Sequence, residues 1–197
     1  LARQSIAPSA RKTPLIKSGP LSRQTGASVY LKLETVQETG AFKVRGAANK
    51  ILNLSDAERR RGVVTASTGN HGRAVAYVAR QLGLNAAVCI SDRVPQNKVE
   101  ALRQLEAEVV IHGQSQDEAE VRARQIEDER GARMIPPFDD AHIIAGQGTI
   151  GLELLEELPQ IETALVPLSG GGLIAGIALA LKSANPNIRV IGLSMAR

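Results

Sequence analysis

From about residue 62 onward, short β-branched runs alternate with amphipathic stretches, and this alternation limits the fold more than any other feature of the chain. Val63-Val64-Thr65, Ala86–Ile90, Val109-Val110-Ile111, Arg133–Ile135, Ala164–Leu168 and Arg189–Leu193 read as strands. Their starts recur roughly every 20–30 residues, the length of a strand, a helix and two turns. Val75, Val78, Ala79 and Leu82 fall at i, i+3, i+4 and i+7, which predicts one buried helical face ended by Gly83. Pro95 opens a helix to about Gln104. Ser115 with Glu118, and Ser55 with Glu58, have the S-x-x-E form of a capping box. The first pair opens a charged helix that runs to about Arg130 and stops at Gly131. The second opens a short helix ending in Arg59-Arg60-Arg61, where cations suit the negative helix end. Asp139 or Asp140 caps a helix whose buried face includes Ile143, Ile150, Leu154 and Leu158. Leu173–Lys182 is the helix between the last two strands. Such a chain is expected to be α/β, with parallel strands and helices on both sheet faces.

Composition removes whole classes of function. Of 197 residues, 43% are hydrophobic, enough to bury a core, so wholesale disorder is excluded. The single cysteine, Cys89, allows neither an internal disulfide nor a cysteine-based zinc site, and it fits a reducing cytoplasm. Inside its strand it reads as a small buried hydrophobe. The longest apolar run, Leu173 to Leu181, is far shorter than the ~20 residues of a membrane span. The first residues carry Arg3, Arg11, Lys12 and Lys17 and no apolar stretch of a secretory signal. Residues 1–50 hold nine Lys/Arg against two Glu, a balance of +7. These cations are scattered and lack interleaved aromatics, which argues against nucleic acid and for an entrance that attracts an anionic small molecule. The chain begins at Leu1 and stops at Arg197 just after a strand, so it is expected to be a trimmed piece of a longer protein.

Three segments carry residue types suited to chemistry. Ser169-Gly170-Gly171-Gly172-Leu173 follows a strand and opens a helix, so backbone N–H groups and the helix N-terminus can cradle a phosphate. It lacks both the G-x-G-x-x-G spacing and the Walker lysine. A tight turn that needs glycine only for its geometry explains this loop equally well. Ser67-Thr68-Gly69-Asn70-His71-Gly72 also joins a strand to a helix, and its hydroxyl and N–H groups suit a carboxylate. On spacing alone, a plain cap by Ser67 or Thr68 is slightly favoured. Lys43, between Phe42 and Val44 at a helix start, has an amine open to desolvation and to positive potential, both of which favour the neutral nucleophile. A lysine snorkelling off a helix face is the commoner reason for such a residue. His71 reads as structural, His112 and His142 lack metal-ligand spacing, and Asp139-Asp140 reads as a cap rather than an acid/base pair.

Taken in order, these three segments resemble the fold type II pyridoxal-phosphate enzymes, and most closely the serine/threonine dehydratase family. The surrounding motifs agree: Arg11-Lys12-Thr13-Pro14-Leu15, Leu31-Lys32-Leu33-Glu34, Pro95-Gln96-Asn97-Lys98-Val99, Pro137-Phe138-Asp139-Asp140 and Ile144-Ala145-Gly146-Gln147-Gly148-Thr149. Gly46 after Lys43-Val44-Arg45 is similar to the dehydratases rather than the cysteine synthases. The Ser67–Gly72 loop with Gly192-Leu193-Ser194-Met195 resembles the branch linked to hydroxyectoine utilisation.

The resemblance implies two doubly wound α/β lobes with mainly parallel sheets. Residues 56–138 would form a small lobe, and residues 1–55 with 139–197 a large lobe lacking its last part. It implies that Lys43 binds pyridoxal 5'-phosphate covalently and removes the substrate Cα proton. Phe42 would lie near the cofactor ring, Asn70 would bond its phenolic oxygen, and Ser169, Gly170, Gly171, Gly172 and Leu173 would hold its phosphate. Ser67, Thr68, Gly69 and His71 would hold the substrate carboxylate. Thr68 stands where serine racemases have Ser, and Ser194 where some relatives have a cation-binding Glu, so no metal site is expected. The implied activity is elimination of water from a hydroxy-amino acid, giving a 2-oxo acid and ammonia. Partners would be an amino-acid substrate and a second copy of the chain, with no nucleic acid and no membrane. Racemisation, a hydroxyectoine-pathway elimination, or an inactive fragment that only binds a phosphorylated ligand or a partner chain remain as alternatives.

Overall fold

A computed structural model of the chain describes residues 1–67 and 69–195. After α1 (Ala2–Ile6), two three-residue strands, β1 (Leu15–Lys17) and β2 (Tyr30–Lys32), pair antiparallel with Ile16 opposite Leu31. The helix α2 (Gly19–Thr25) connects them. This hairpin lies outside the expected parallel pattern, because strands of three residues carry almost no period-two signal. Then come α3 (Lys43–Leu52) and α4 (Asp56–Arg61), the latter opened by the Ser55–Glu58 capping box with both reciprocal bonds made.

The alternating region folds as its pattern predicts. β3 (Val63–Ala66), α5 (Asn70–Gln81), β4 (Ala86–Ile90), α6 (Gln96–Arg103), β5 (Glu108–Ile111), α7 (Gln116–Arg130) and β6 (Arg133–Met134) follow in turn. Their strands form one parallel sheet in the order β5-β4-β3-β6. The pleat sends Val63, Val88 and Ile90 to one face, against Val75 and Val78 of α5 and Val99 and Leu102 of α6. Val64, Ala87 and Cys89 face the other way, onto Ala119, Ala123 and Ile126 of α7. Both faces are therefore covered, as a parallel sheet requires. Cys89 is fully buried, and desolvation pushes its thiol up to about 11, which leaves it an inert packing residue.

Two expected core positions sit elsewhere. Leu82 is the C-cap of α5 and 36% exposed, and Leu158 is a half-buried C-cap. In both cases the helix ends before the apolar periodicity does. Asp140, not Asp139, caps α8 (Ala141–Glu157), accepting from the N–H groups of His142 at 2.9 Å and Ile143 at 3.1 Å.

The C-terminal part adds β7 (Thr163–Pro167), α9 (Gly172–Ala184) and β8 (Arg189–Leu193), with β7 and β8 paired parallel. Ile150 and Leu154 of α8 pack with Ala164, Val166, Ile177, Leu181 and Ile188 into a third core cluster.

Glycines on α8 set its distance to two neighbouring helices. A Cβ on Gly146 would lie 2.7 Å from the Gly46 Cα of α3 and closer still to the Arg45 carbonyl oxygen. A Cβ on Gly176 of α9 would lie 2.6 Å from the Gly148 N, and one on Gly151 would lie 2.7 Å from the Ala180 Cβ. Backbone thus meets backbone on both sides of α8. A second anchor is ionic. Arg45 is 1% exposed and donates to Glu34 Oε1 and Oε2 at 2.8 Å each, and to Glu153 Oε1 at 2.6 Å and Oε2 at 3.0 Å. It also donates to Thr149 Oγ1 at 3.0 Å. Lys32 Nζ completes the group, 2.8 Å from Glu153. Burial opposes the guanidinium charge, but Glu34 and Glu153 outweigh it and raise the Arg45 pKa. This network ties α3 and the N-terminal hairpin to α8.

Candidate active site

The first residues of three helices line one cleft of about 420 Å³: Lys43 of α3, Asn70 and His71 of α5, and Gly172 and Leu173 of α9. Side chains cap α2, α4, α7 and α8, but among the described residues none caps α3, α5 or α9. The first N–H groups of these helices, unpaired within the helix and without a side-chain cap among the described residues, face the cleft and suit an outside acceptor. α1 and α6 are uncapped as well, so it is the convergence of three such ends that marks the site. Their combined positive potential suits an anion. α5 and α9 each follow a strand, β3 and β7, so the cleft lies at the carboxyl ends of two separate sheets.

Lys43 Nζ donates to the Pro137 carbonyl oxygen at 2.6 Å and lies 5.4 Å from the centroid of the Phe42 ring. Desolvation lowers its pKa from the usual lysine value. An amine so placed reaches the neutral, nucleophilic form more readily than a surface lysine does.

Across the cleft, Gly171 has φ of 87°, in the left-handed region, and is the N-cap of α9. A Cβ on Gly172 would fall 2.7 Å from the Phe138 carbonyl oxygen, and one on Gly170 would fall 2.6 Å from Phe138 Cε1. Segment 137–138 thus touches both chemical centres. Its Pro137 oxygen holds the lysine, and Phe138 covers the glycine loop.

The Ser67 loop forms a third wall. Ser67 Oγ accepts from the Gly69 N–H at 3.4 Å. His71 is buried, and its Nε2 lies 2.9 Å from the Ile135 carbonyl oxygen. A carbonyl only accepts, so Nε2 carries the hydrogen. Desolvation pulls the His71 pKa down to about 4, the Ile135 bond opposes this and Lys43 adds to it. The ring is therefore neutral at pH 7, held by the backbone and without a charge to offer an anion.

The cleft gathers Phe42, Lys43, Ser67, Asn70, His71, Ser169, Gly170, Gly171, Gly172 and Leu173 from the residues the sequence singled out. Gly69 is not on its wall, and Thr68 lies outside the described residues. Pro137, Phe138, Gln147, Pro167 and Leu168 line it too and were not anticipated as site residues. The motif strings around Pro137-Phe138 and Gln147 were the available signal for three of them. Among the described residues no cluster of His, Cys, Asp or Glu is arranged to hold a metal ion, and no helix is long and apolar enough to cross a membrane.

Residues 6–197 match a family described as Pyridoxal-phosphate dependent enzyme. The whole chain is 53% identical over 196 residues to a putative threonine dehydratase of Sinorhizobium fredii, of which it spans 59%. A solved processed form of threonine deaminase isoform 2 from Solanum lycopersicum superposes with a TM-score of 0.95 at 40% identity, covering 98% of this chain and 53% of that one. The maize serine racemase structure superposes with a TM-score of 0.94 at 41% identity, covering 97% and 58%. The chain thus spans between half and three fifths of the length of these proteins.

Proposed function

The chain belongs to the pyridoxal-phosphate dependent enzymes, and on that premise we propose that it serves a threonine/serine dehydratase-type ammonia-lyase. The reaction is elimination of water from a hydroxy-amino acid, giving a 2-oxo acid and ammonia. The observation that carries this reading is the convergence of Lys43, Asn70 and the Gly170–Gly172 loop on one cleft.

The cleft's own chemistry fits the cofactor. In the loop at Gly170, Gly171 and Gly172 a Cβ at the first or third position would collide with Phe138, so glycine lets the backbone lie against that segment with its N–H groups free for a phosphate. Above it stands the uncapped, positive end of α9, ready for a phosphate. Lys43 is the amine for a covalent bond to the cofactor aldehyde, and its lowered pKa favours that bond. Phe42, whose ring lies beside Lys43, would be an apolar neighbour of the cofactor, and Asn70 would supply an amide for its phenolic oxygen. When bound, pyridoxal phosphate supplies an electron sink for the charge left at the substrate Cα.

The remaining work falls to the chain. The end of α5, with Ser67, Thr68, Gly69 and His71, holds the substrate carboxylate through N–H and hydroxyl donors. His71 acts there as a fixed neutral ring, not as a cation. Lys43 in its free amine form would remove the substrate Cα proton. The Pro137 oxygen, already its hydrogen-bond acceptor, keeps that amine in the cleft. Residues 56–138 are assigned to the small lobe and residues 1–55 with 139–197 to the large lobe, with the reacting groups between them. The working form is assigned as a cytoplasmic homodimer.

Similarity to maize serine racemase supports racemisation as a second reading. It needs a proton donor on the face opposite Lys43, where serine racemases have Ser and this chain has Thr68. The test is product analysis of the cofactor-loaded full-length protein with L-threonine and L-serine. The proposal expects a 2-oxo acid and ammonia in equal amounts, and loss of both in Lys43→Ala. D-amino acid without 2-oxo acid overturns it in favour of racemisation.

A further inference from the structure

Residues 135–140 touch all three walls of the cleft. The Ile135 carbonyl oxygen accepts from Thr65 Oγ1 of β3 and from His71 Nε2 of α5, both at 2.9 Å. The Pro137 oxygen accepts from Lys43 of α3. Phe138 lies against Gly170 and Gly172, so its position decides where the glycine loop can sit. Asp140 opens α8. One short strap thus meets the starts of all three helices that face the cleft, and its course sets their spacing.

The far end of the strap is tied back to α3. Lys50 Nζ donates to Asp140 Oδ2 at 2.6 Å, with side chains only 11% and 18% exposed, while Asp140 Oδ1 caps α8. Burial alone would raise the Asp140 pKa, but Lys50 and the capping N–H groups outweigh it and hold the carboxyl below its usual value. Lys50 stands two turns along α3 from Lys43, on the same face. The helix therefore holds the strap at two points, Pro137 through Lys43 and Asp140 through Lys50. Under the proposed reading of the cleft, on which this inference rests, the first hold is given up when Lys43 takes the cofactor aldehyde. The second involves no group that lines the cleft, and it stays. We propose that Lys50 and Asp140 are a positioning pair, which keeps residues 137–138 against the glycine loop and beside Lys43 in the cofactor-loaded enzyme.

The experiment uses the full-length protein, stripped of cofactor, titrated with pyridoxal phosphate by fluorescence and then assayed with L-threonine. Lys50→Met is expected to weaken the cofactor and to lower kcat at saturating cofactor by at least about tenfold each, since a 1 Å misplacement costs on the order of 100-fold. The KM for L-threonine is expected to stay within about twofold, because the carboxylate site lies on α5, at the end of the strap that Ile135 holds. Asp140→Asn keeps the capping oxygen of α8 but turns an amide N–H towards the Lys50 ammonium, and is expected to do the same. Gly172→Ala presses on the Phe138 carbonyl oxygen. Combined with Lys50→Met it is expected to lose less cofactor affinity than the product of the two single losses, because both act through Phe138. A full product of the two losses overturns the proposal. So do cofactor affinity and kcat within about twofold of the parent in both Lys50→Met and Asp140→Asn. A pair whose loss only lowers the melting temperature, or prevents folding in both variants, is a structural anchor, and that result overturns it too. Ser55→Ala removes the α4 cap, outside the cleft, and shows what lost stability does alone. Equal weakening of the cofactor by Ser55→Ala and Lys50→Met also overturns the proposal. A parent that binds no pyridoxal phosphate refutes the reading of the cleft itself, and this inference with it.

Discussion

Gly146→Ala puts one methyl group where α8 and α3 touch through their backbones. The new Cβ would sit 2.7 Å from Gly46 Cα, against 3.4–4 Å for ordinary contact. The Arg45 carbonyl is nearer still, and neither atom belongs to a flexible side chain. The helices must therefore part by about 1 Å, since a close-packed interior offers no void to absorb the methyl. Two effects compete. Alanine is favoured over glycine inside a helix by about 1 kcal/mol. Overpacking costs about 1–3 kcal/mol, and a backbone-limited contact belongs at the upper end. The net expectation is a loss of about 1–2 kcal/mol, read as a lower urea midpoint. Lys43 lies three residues before Gly46 on the same helix, so the displacement reaches the reacting amine. A shift of about 1 Å there is expected to cost on the order of 100-fold in turnover. A variant that is about 1 kcal/mol more stable than the parent and fully active would show helix propensity alone, and would refute the claim that α8 gauges the position of α3.

Three further perturbations probe the same framework. Arg45→Met leaves Glu34 and Glu153 facing each other in the interior, where among the described residues only Lys32 still opposes Glu153. It is expected to lose about 3–5 kcal/mol in denaturant unfolding, and a loss below about 1 kcal/mol would show that the ion pairs are idle. His71 has its pKa lowered to about 4, below the usual 6.5, so the unfolded chain binds the proton more readily. Stability is then complete above about pH 6.5 and falls as pH drops towards 4, by about 2 kcal/mol at pH 5. His71→Gln should flatten that part of the pH–stability curve, and an unchanged slope would assign it to other groups. Gly172→Ala meets the Phe138 carbonyl oxygen and should weaken pyridoxal phosphate binding at least tenfold in a fluorescence titration. Parent-like affinity would remove this loop from the phosphate site.

Much of this is legible in the amino-acid sequence alone. The parallel pairing follows from six short runs at regular spacing, four of which share one sheet and two a second, and β3 and β4 are apolar at successive positions because both their faces are buried. Two capping boxes and Gly131 fixed helix ends because their hydrogen bonds are local in sequence. Asn70 and the glycine loop stand out as residue types with a chemical use at strand-to-helix turns, and Lys43 as one at a helix start. The hairpin of β1 and β2 was not legible, since three-residue strands leave no period. Nor was the placement of Pro137, Phe138 and Gln147, whose roles exist only after α8 packs against α3 and α9. Gln147 in particular reads as an ordinary polar helix residue until burial and the contact with Gly46 single it out. Leu82 and Leu158 were misplaced because apolar periodicity continues past the point where the helix backbone ends.

The central claim is that Lys43 is the covalent anchor of the cofactor. Reducing the pyridoxal phosphate-loaded protein with borohydride fixes the cofactor to the lysine that holds it, and peptide mapping by mass spectrometry identifies that residue. The account predicts a pyridoxyl group on the peptide containing Lys43, absent from Lys43→Ala. A pyridoxyl group on Lys32 or Lys50 with Lys43 unmodified would contradict it.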